Sequence, residues 1–138
     1  GLTFPRVSTL NRSAPGTGQV ITVSVTASGI NAYIFNGSDR VNTFNDAANP
    51  TLNCNANDII KFNVNVSGHP FLLKTALTPG DGDQIPTWVN GQNWDDGGSS
   101  GGGGTDGEIL LFTFGMAGTT LYYVCQNHFD MSGSIIIS

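Results

Sequence analysis

Short runs of alternating apolar and polar residues constrain this fold most. Residues 19–27 read QVITVSVTA, so the apolar residues from Ile21 to Val25 fall on one face of a strand and the intervening residues on the other. No segment has sustained helical periodicity, and 19 Gly and 6 Pro among 138 residues favour many turns. We therefore predict an all-β fold: an antiparallel Greek-key β-sandwich of seven or eight strands.

The remaining strands are predicted from the same pattern and from turn residues. In the segment NPTLNCNANDIIKFNVNV, Leu52 and Cys54 share one face of a first strand, and Ile60 and Phe62 share one face of a second. Further strands are predicted at 32–36, 69–74, 108–114, 119–125 and 133–138. All of them belong to one predicted domain, 1–138.

A long loop insertion, about 78–107, interrupts the predicted strands. Structureless loops of this length are uncommon in compact domains. The glycine run 97–104 is typical of a flexible tether. Trp88 and Trp94 are expected to be buried, so that the first half of the insertion packs on the sandwich.

The charge of the chain limits its partners. Ten acidic and five basic residues give a net charge of −5, which argues against nucleic acid as a ligand. Six acidic residues crowd the stretch 79–108, which has no Lys or Arg. They are Asp81, Asp83, Asp95, Asp96, Asp106 and Glu108. A solvated loop accounts for them, with a positively charged partner, or calcium at Asp81 and Asp83, as alternatives.

No apolar stretch approaches the roughly 20 residues that span a membrane. The N-terminal sequence GLTFPRVSTL has no apolar core of the kind that secretion signals carry. We expect an extracytoplasmic protein (periplasmic, secreted or in an organelle lumen) whose signal has already been removed.

The segment YYVCQNHFDMSG, residues 122–133, carries the chemistry. It places Cys125, His128 and Met131 in the spacing C-x2-H-x2-M. Thiolate, imidazole and thioether are donors that copper accepts in both oxidation states, and a short loop can turn all three toward one point. The chain has one other histidine, His69, after a glycine. We predict a trigonal plane of His69, Cys125 and His128, with Met131 as a weak axial ligand. A disulfide with Cys54 is the alternative for Cys125.

These motifs resemble those of the cupredoxins, the type 1 (blue) copper proteins. LYYVC is similar to the family's penultimate strand, the loop after it to the short ligand loop of amicyanin, and NDIIKFNVNVSGHPF to the turn, strand and first histidine. The resemblance covers roughly 48–76 and 107–138. Pro70 departs from it, since cupredoxins often have Asn there to brace the ligand loop; Asn127 or Ser67 is expected to replace that brace.

The resemblance implies a function. One copper ion per chain would cycle between Cu(I) and Cu(II), and the protein would be an electron carrier rather than an enzyme. Electrons would pass through the exposed edge of His128, beside a docking patch of Phe129, Pro70 and Phe71. The partners would be redox proteins and the chain a monomer.

Other copper sites and other roles remain to be compared. Multicopper oxidases need His-x-His pairs, which this chain lacks, and two histidines are too few for superoxide reductase. One cysteine in the loop is too few for a binuclear copper centre. A metal-free extracellular module for adhesion or structure remains open, and three N-x-S sequons at Asn11, Asn36 and Asn65 suit it. Copper storage or delivery with the same ligands remains open too.

Overall fold

The alternating segments form strands, and the strands pack as two sheets. The structure, a computed structural model, describes residues 18–94 and 105–138. No helix in these ranges is long and apolar enough to cross a membrane. The described strands are β1 (Val20–Ser28), β2 (Ala32–Ser38), β3 (Thr43–Ala48), β4 (Leu52–Cys54), β5 (Ile59–Asn65), β6 (Phe71–Lys74), β7 (Thr87–Val89), β8 (Gln92–Trp94), β9 (Asp106–Phe112), β10 (Thr119–Cys125) and β11 (Ser132–Ile137).

The predicted β-sandwich is confirmed, and its sheets are mixed. Seven strands form one sheet in the order β3-β2-β1-β5-β9-β7-β8, and four form the other in the order β4-β11-β10-β6. β1 pairs with β5 in parallel, and β4 with β11 in parallel. The structure thus adds two parallel pairs to the predicted antiparallel pairing, and the described residues form eleven strands where seven or eight were predicted. Each parallel pair joins strands that are not consecutive, which no local pattern in the sequence specifies.

The core lies between the two sheets and follows the predicted alternation. In β1 the side chains of Ile21, Val23 and Val25 are buried and those between them are exposed. The interior is rich in aromatic rings near the end of β10. Phe71 packs within 5.0 Å of both Tyr33 and Phe62, and it stacks on Tyr123 at 5.5 Å (ring-centroid distances). This aromatic cluster supports the end of β10, where the last residue is Cys125.

The insertion contains a hairpin that the alternation did not predict. β7 and β8 are joined by Asn90 and Gly91, both with positive φ, as a two-residue type I′ turn requires. β7 also pairs with β9, so the first half of the insertion packs on the sandwich, as expected. The prediction that Trp88 is buried is wrong: it is 40% exposed and lies edge-on to Phe112 on the outer face. The glycine run and the side chain of Trp94 lie outside the described residues.

Several strand boundaries differ from the prediction by one or two residues, and one of them concerns the site. β6 begins at Phe71 rather than at 69 because Pro70 has no N–H for a sheet ladder. β9 begins at Asp106 rather than at 108. The single domain 1–138 stays a prediction, since residues 1–17 and 95–104 lie outside the described ranges.

Candidate metal centre

A tight turn presents His69 at one end of the sandwich. The His69 N–H donates to the carbonyl of Val66 at 2.8 Å, and Gly68 has a φ of 81°. This is the pattern of a type II turn, which needs a glycine at its third position. The turn follows β5 and ends just before β6, so that His69 lies at the junction between the two sheets.

The other histidine lies in a loop that closes on the end of β10. Cys125 is the last residue of β10, and its N–H donates to the carbonyl of Met131 at 2.9 Å. The Met131 N–H donates to the carbonyl of His128 at 3.0 Å. These two bonds fold six residues into a compact loop between β10 and β11, with His128 at its outer edge.

Three side chains predicted as ligands meet between these segments. The Nδ1 atoms of His69 and His128 lie 3.1 Å apart, and Cys125 Sγ lies 3.7 Å from the first and 3.8 Å from the second. A point equidistant from the three atoms lies about 2.1 Å from each of them. First-row metal ions in proteins bind imidazole nitrogen and thiolate sulfur at roughly 2.0–2.3 Å, so the triangle has the size of a coordination plane.

The chemistry of the three donors fits a metal ion such as copper. Cys125 is buried and both histidines are half-buried, so the sulfur faces the interior and the rings face the edge. Burial lowers the pKa of His69, and the nearby His128 lowers it further. A neutral imidazole is the form that binds metal. One thiolate and two imidazoles in a trigonal arrangement are the strong donors of blue-copper sites.

Comparisons with known proteins give matches among solved structures alone. No protein-family model and no curated protein matches the chain. Reduced rusticyanin matches with 22% identity and a TM-score of 0.49 over 88% of this chain and 81% of that one. Rusticyanin from Thiobacillus ferrooxidans matches with 20% identity and a TM-score of 0.48 over 88% and 79%. Auracyanin B matches with 18% identity and a TM-score of 0.44 over 87% and 88%.

The arrangement of strands and donors agrees with the resemblance noted in the sequence. A two-sheet sandwich carries one histidine before β6, and its penultimate strand ends in the cysteine, with the second histidine three residues later. The fold is therefore a two-sheet β-sandwich of the kind that the sequence resemblance implies. The likeness of its loop to that of amicyanin stays a prediction.

Met131 lies in the interior beside the three candidate donors. Its side chain is fully buried and belongs to the same core cluster as Cys125. Its backbone holds the Cys125 N–H, which places residue 131 next to the cysteine. Its role as the axial ligand of a cupredoxin stays a prediction.

The apolar surface beside His128 is smaller than the resemblance implied. Pro70 and Phe71 are buried, so the prediction that they belong to an exposed docking patch is wrong. The ring of Phe71 is covered in the core between the sheets, where it packs on Tyr33 and Phe62 of the facing sheet. Phe129 is 41% exposed and remains beside the edge of His128.

The two cysteines are both free thiols, so the alternative of a disulfide does not hold. Cys54 is buried on β4, and burial raises the pKa of its thiol to about 12. At that pKa the thiol is protonated and unreactive at neutral pH. The interpretation of Cys54 as a small apolar core residue agrees with this position.

A buried lysine from outside the acidic stretch 79–108 lies next to it. Lys74, buried at the end of β6, donates from Nζ to the carbonyls of Thr78 and Gly80 at 2.6 and 2.9 Å. Asp81 and Asp83 are exposed beside it. Within residues 18–94 and 105–138, the single cluster of three or more His, Cys, Asp or Glu donors is the one at His69, so calcium at Asp81 and Asp83 gains no support.

The structure also adds residues to the site that the sequence did not single out. The Asn127 side chain donates to the Gly68 carbonyl at 3.4 Å, which partly agrees with its predicted role as a brace, whereas Ser67 is exposed. Tyr33 makes shorter contacts, from its hydroxyl to the carbonyls of His69 and Pro70. Tyr33 lies 36 residues before His69, so no motif links them.

Proposed function

We propose that this chain is a type 1 copper protein that carries single electrons between redox partner proteins. His69, Cys125 and His128 would hold one copper ion per chain, with Met131 as the weak axial ligand. The observation that carries the proposal is the triangle of Nδ1, Nδ1 and Sγ atoms, with sides of 3.1, 3.7 and 3.8 Å.

The strands and the turn that hold the candidate donors suit electron transfer. Copper would supply a one-electron couple between Cu(I) and Cu(II). Cys125 is fixed at the end of a strand paired on both sides, and His69 is fixed between a turn and β6. Donors held in this way have little freedom to rearrange when the charge of the ion changes, and a small rearrangement favours fast outer-sphere transfer.

The exposure of the ligands suggests the route of the electron. The sulfur is fully buried, whereas the His128 ring is half-buried and stands next to the exposed Phe129. Both histidine rings are half-buried, and His128 is the one with the exposed Phe129 beside it, so its edge is the proposed route to a partner. We infer a role as a monomeric carrier rather than an enzyme, in an extracytoplasmic compartment; this part of the proposal comes from the sequence resemblance.

A visible absorption spectrum tests the proposal. After loading with Cu(II), the protein should show an intense thiolate-to-copper band and one copper per chain by elemental analysis. Cys125→Ser should lose the band and most of the bound copper. Cys54→Ser is the matched control, because it alters the other buried thiol and should keep both.

Two outcomes would favour a different function. A colourless protein after loading, with the Cys125 thiol free, would contradict the copper site and favour a metal-free module. Rapid removal of copper from the folded protein by a chelator would favour storage or delivery over electron transport. Slow removal together with rapid electron exchange is the result expected here.

A further inference from the structure

The Tyr33 hydroxyl lies against the segment that carries His69. Tyr33 is a fully buried residue of β2, in the sheet opposite to the one that contains β6 and β10. Its hydroxyl donates to the His69 carbonyl at 2.8 Å and lies 3.1 Å from the Pro70 carbonyl. The ring packs edge-on to Phe71, with centroids 5.0 Å apart. One side chain from the facing sheet thus contacts three consecutive residues at the entry to β6.

The segment that leads into β6 has few backbone donors with which to bond to the rest of the sandwich. Pro70 has no N–H, and the His69 N–H is used within the turn to Val66. The Pro70 carbonyl also accepts from Gln126 N–H at 3.1 Å, a bond to the ligand loop. The Tyr33 hydroxyl is therefore a direct link between the His69 segment and the rest of the sandwich.

Asn49 connects the same tyrosine to the other ligand segment. The Asn49 N–H donates to the Tyr33 carbonyl at 2.8 Å, and the Tyr33 N–H donates to Asn49 Oδ1 at 2.9 Å. The remaining amide group, Nδ2, donates to the Asp130 carbonyl at 3.1 Å, inside the loop between His128 and Met131. Asn49 has a φ of 45°, a conformation that asparagine tolerates better than most residues.

We propose that Tyr33 and Asn49 are positioning residues of the metal centre, acting through the carbonyls of His69 and Asp130. The proposal rests on the proposed function, because it assigns the pair a role toward the same ion. Tyr33 holds the segment of one histidine, Asn49 holds the loop of the other, and two hydrogen bonds join the two residues. From the facing sheet, the pair fixes the distance between the His69 and His128 rings. It thereby replaces the brace that an asparagine at position 70 would give.

Tyr33→Phe tests the first half of the pair. It removes one hydroxyl and keeps the ring against Phe71. We expect copper extraction by a chelator to become about tenfold faster, since loss of groups that orient ligands lowers metal affinity by roughly 10–100-fold. The intensity ratio of the thiolate charge-transfer bands should also change.

Thr113→Val is the matched control. Thr113 is fully buried at the opposite end of β5, and its hydroxyl donates to the carbonyls of Asp58 at 2.7 Å and Asn55 at 3.2 Å. This variant also removes one buried hydroxyl from two backbone carbonyls. It should lower the stability of the fold and leave the spectrum and the extraction rate within about twofold of the wild type.

Asn49→Asp tests the second half. Aspartate tolerates the left-handed conformation and keeps an acceptor for the Tyr33 N–H, but it has no donor for the Asp130 carbonyl. We expect it to change the extraction rate in the same direction as Tyr33→Phe.

A measurement on the copper-free protein separates this inference from the proposed function. In apoprotein, Tyr33→Phe should raise the amide hydrogen-exchange rates of Gln126 and Met131 about tenfold, and Thr113→Val should not. Wild-type protein that takes up no copper would contradict the proposed function alone. Unchanged exchange rates in Tyr33→Phe, or site readouts equal to those of Thr113→Val, would overturn the positioning role.

Discussion

Cys125 lies directly opposite Phe71 in the register between β10 and β6. His69 comes two residues before Phe71, so this register brings its Nδ1 to 3.7 Å from Cys125 Sγ. A slip of one residue would reverse the faces of all side chains on the strand and separate the two donors. The geometry of the candidate site therefore depends on strand pairing as much as on the ligand loop.

Gly68→Ala tests the turn that presents His69. The φ of Gly68 is 81°, and a Cβ there would meet no heavy atom within 4 Å, so the effect of the change is conformational. We expect a loss of about 1–2 kcal/mol in the free energy of unfolding, measured by chemical denaturation. Gly68→Asn should lose less, because asparagine adopts positive φ more readily. Equal losses for the two variants would contradict this explanation.

Gly133→Ala tests the packing of Tyr123 across β10 and β11. Gly133 is the register partner of Tyr123, and a Cβ on Gly133 would overlap the phenol ring and its hydroxyl. We expect a loss of about 1–3 kcal/mol, since the ring is buried and its hydroxyl donates to the Pro50 carbonyl. The denaturation midpoint measures it. The neighbouring Ser134→Ala should change stability by less than about 0.5 kcal/mol.

Arg40 and Asp58 predict how stability changes with acid. Arg40 donates to both carboxylate oxygens of the buried Asp58, at 2.7 and 2.9 Å. Burial alone would raise the pKa of Asp58, but Arg40 and the backbone N–H groups of Asn55 and Gln19 hold it below its ordinary value. A lowered pKa gives stability that is present above the unfolded value, about 3.9, and is lost as pH falls through the folded one.

Arg40→Met should therefore destabilise the fold by about 3 kcal/mol at neutral pH. The difference from the wild type should be full at neutral pH and should shrink as pH falls below about 3.9 toward the lowered pKa that Asp58 has in the folded wild type. Unfolding free energies measured from pH 3 to pH 7 check this. A difference that does not vary with pH would show that packing, rather than charge, accounts for the loss.

Lys74→Met tests the buried cation of the acidic stretch. The change leaves the carbonyls of Thr78 and Gly80 without their charged donor, and we expect a loss of about 2 kcal/mol. Amide hydrogen exchange should rise at Thr75, whose N–H donates to the backbone carbonyl of Asp83 in the same loop. The control is Lys61→Met, since Lys61 pairs with Glu108 at 3.4 Å with both side chains over a third exposed, and it should lose less than about 1 kcal/mol.

The proximity of the candidate donors in the loop after β10 could be predicted from the sequence because they are neighbours in the chain. Cys125 and His128 lie three residues apart, and any short loop at the end of a strand brings them together. His69 could be added because one other histidine was available. The strands with strict alternation, such as β1 and β5, were also predictable, since burial on one face alone produces that pattern.

Other elements left weaker signals. β3 has the sequence TFNDAA, in which most residues have low strand propensity, and Asp46 has a positive φ near an irregularity in the pairing with β2. The β7–β8 hairpin did have a signal, the Asn90-Gly91 pair of a type I′ turn. The links from Tyr33 and Asn49 to the ligand segments had none, because they join distant positions through backbone carbonyls.

The parallel pairing of β4 with β11 affects the rate and the order in which the chain folds. Leu52 lies opposite Ile135, 83 positions later, whereas β10 and β11 can meet as a local hairpin. Closing so long a span reduces chain entropy before contacts compensate for it, so refolding should be slow for a domain of this size. The loop that carries Cys125 and His128 lies inside the local β10–β11 hairpin, so it can form before β4 docks on β11.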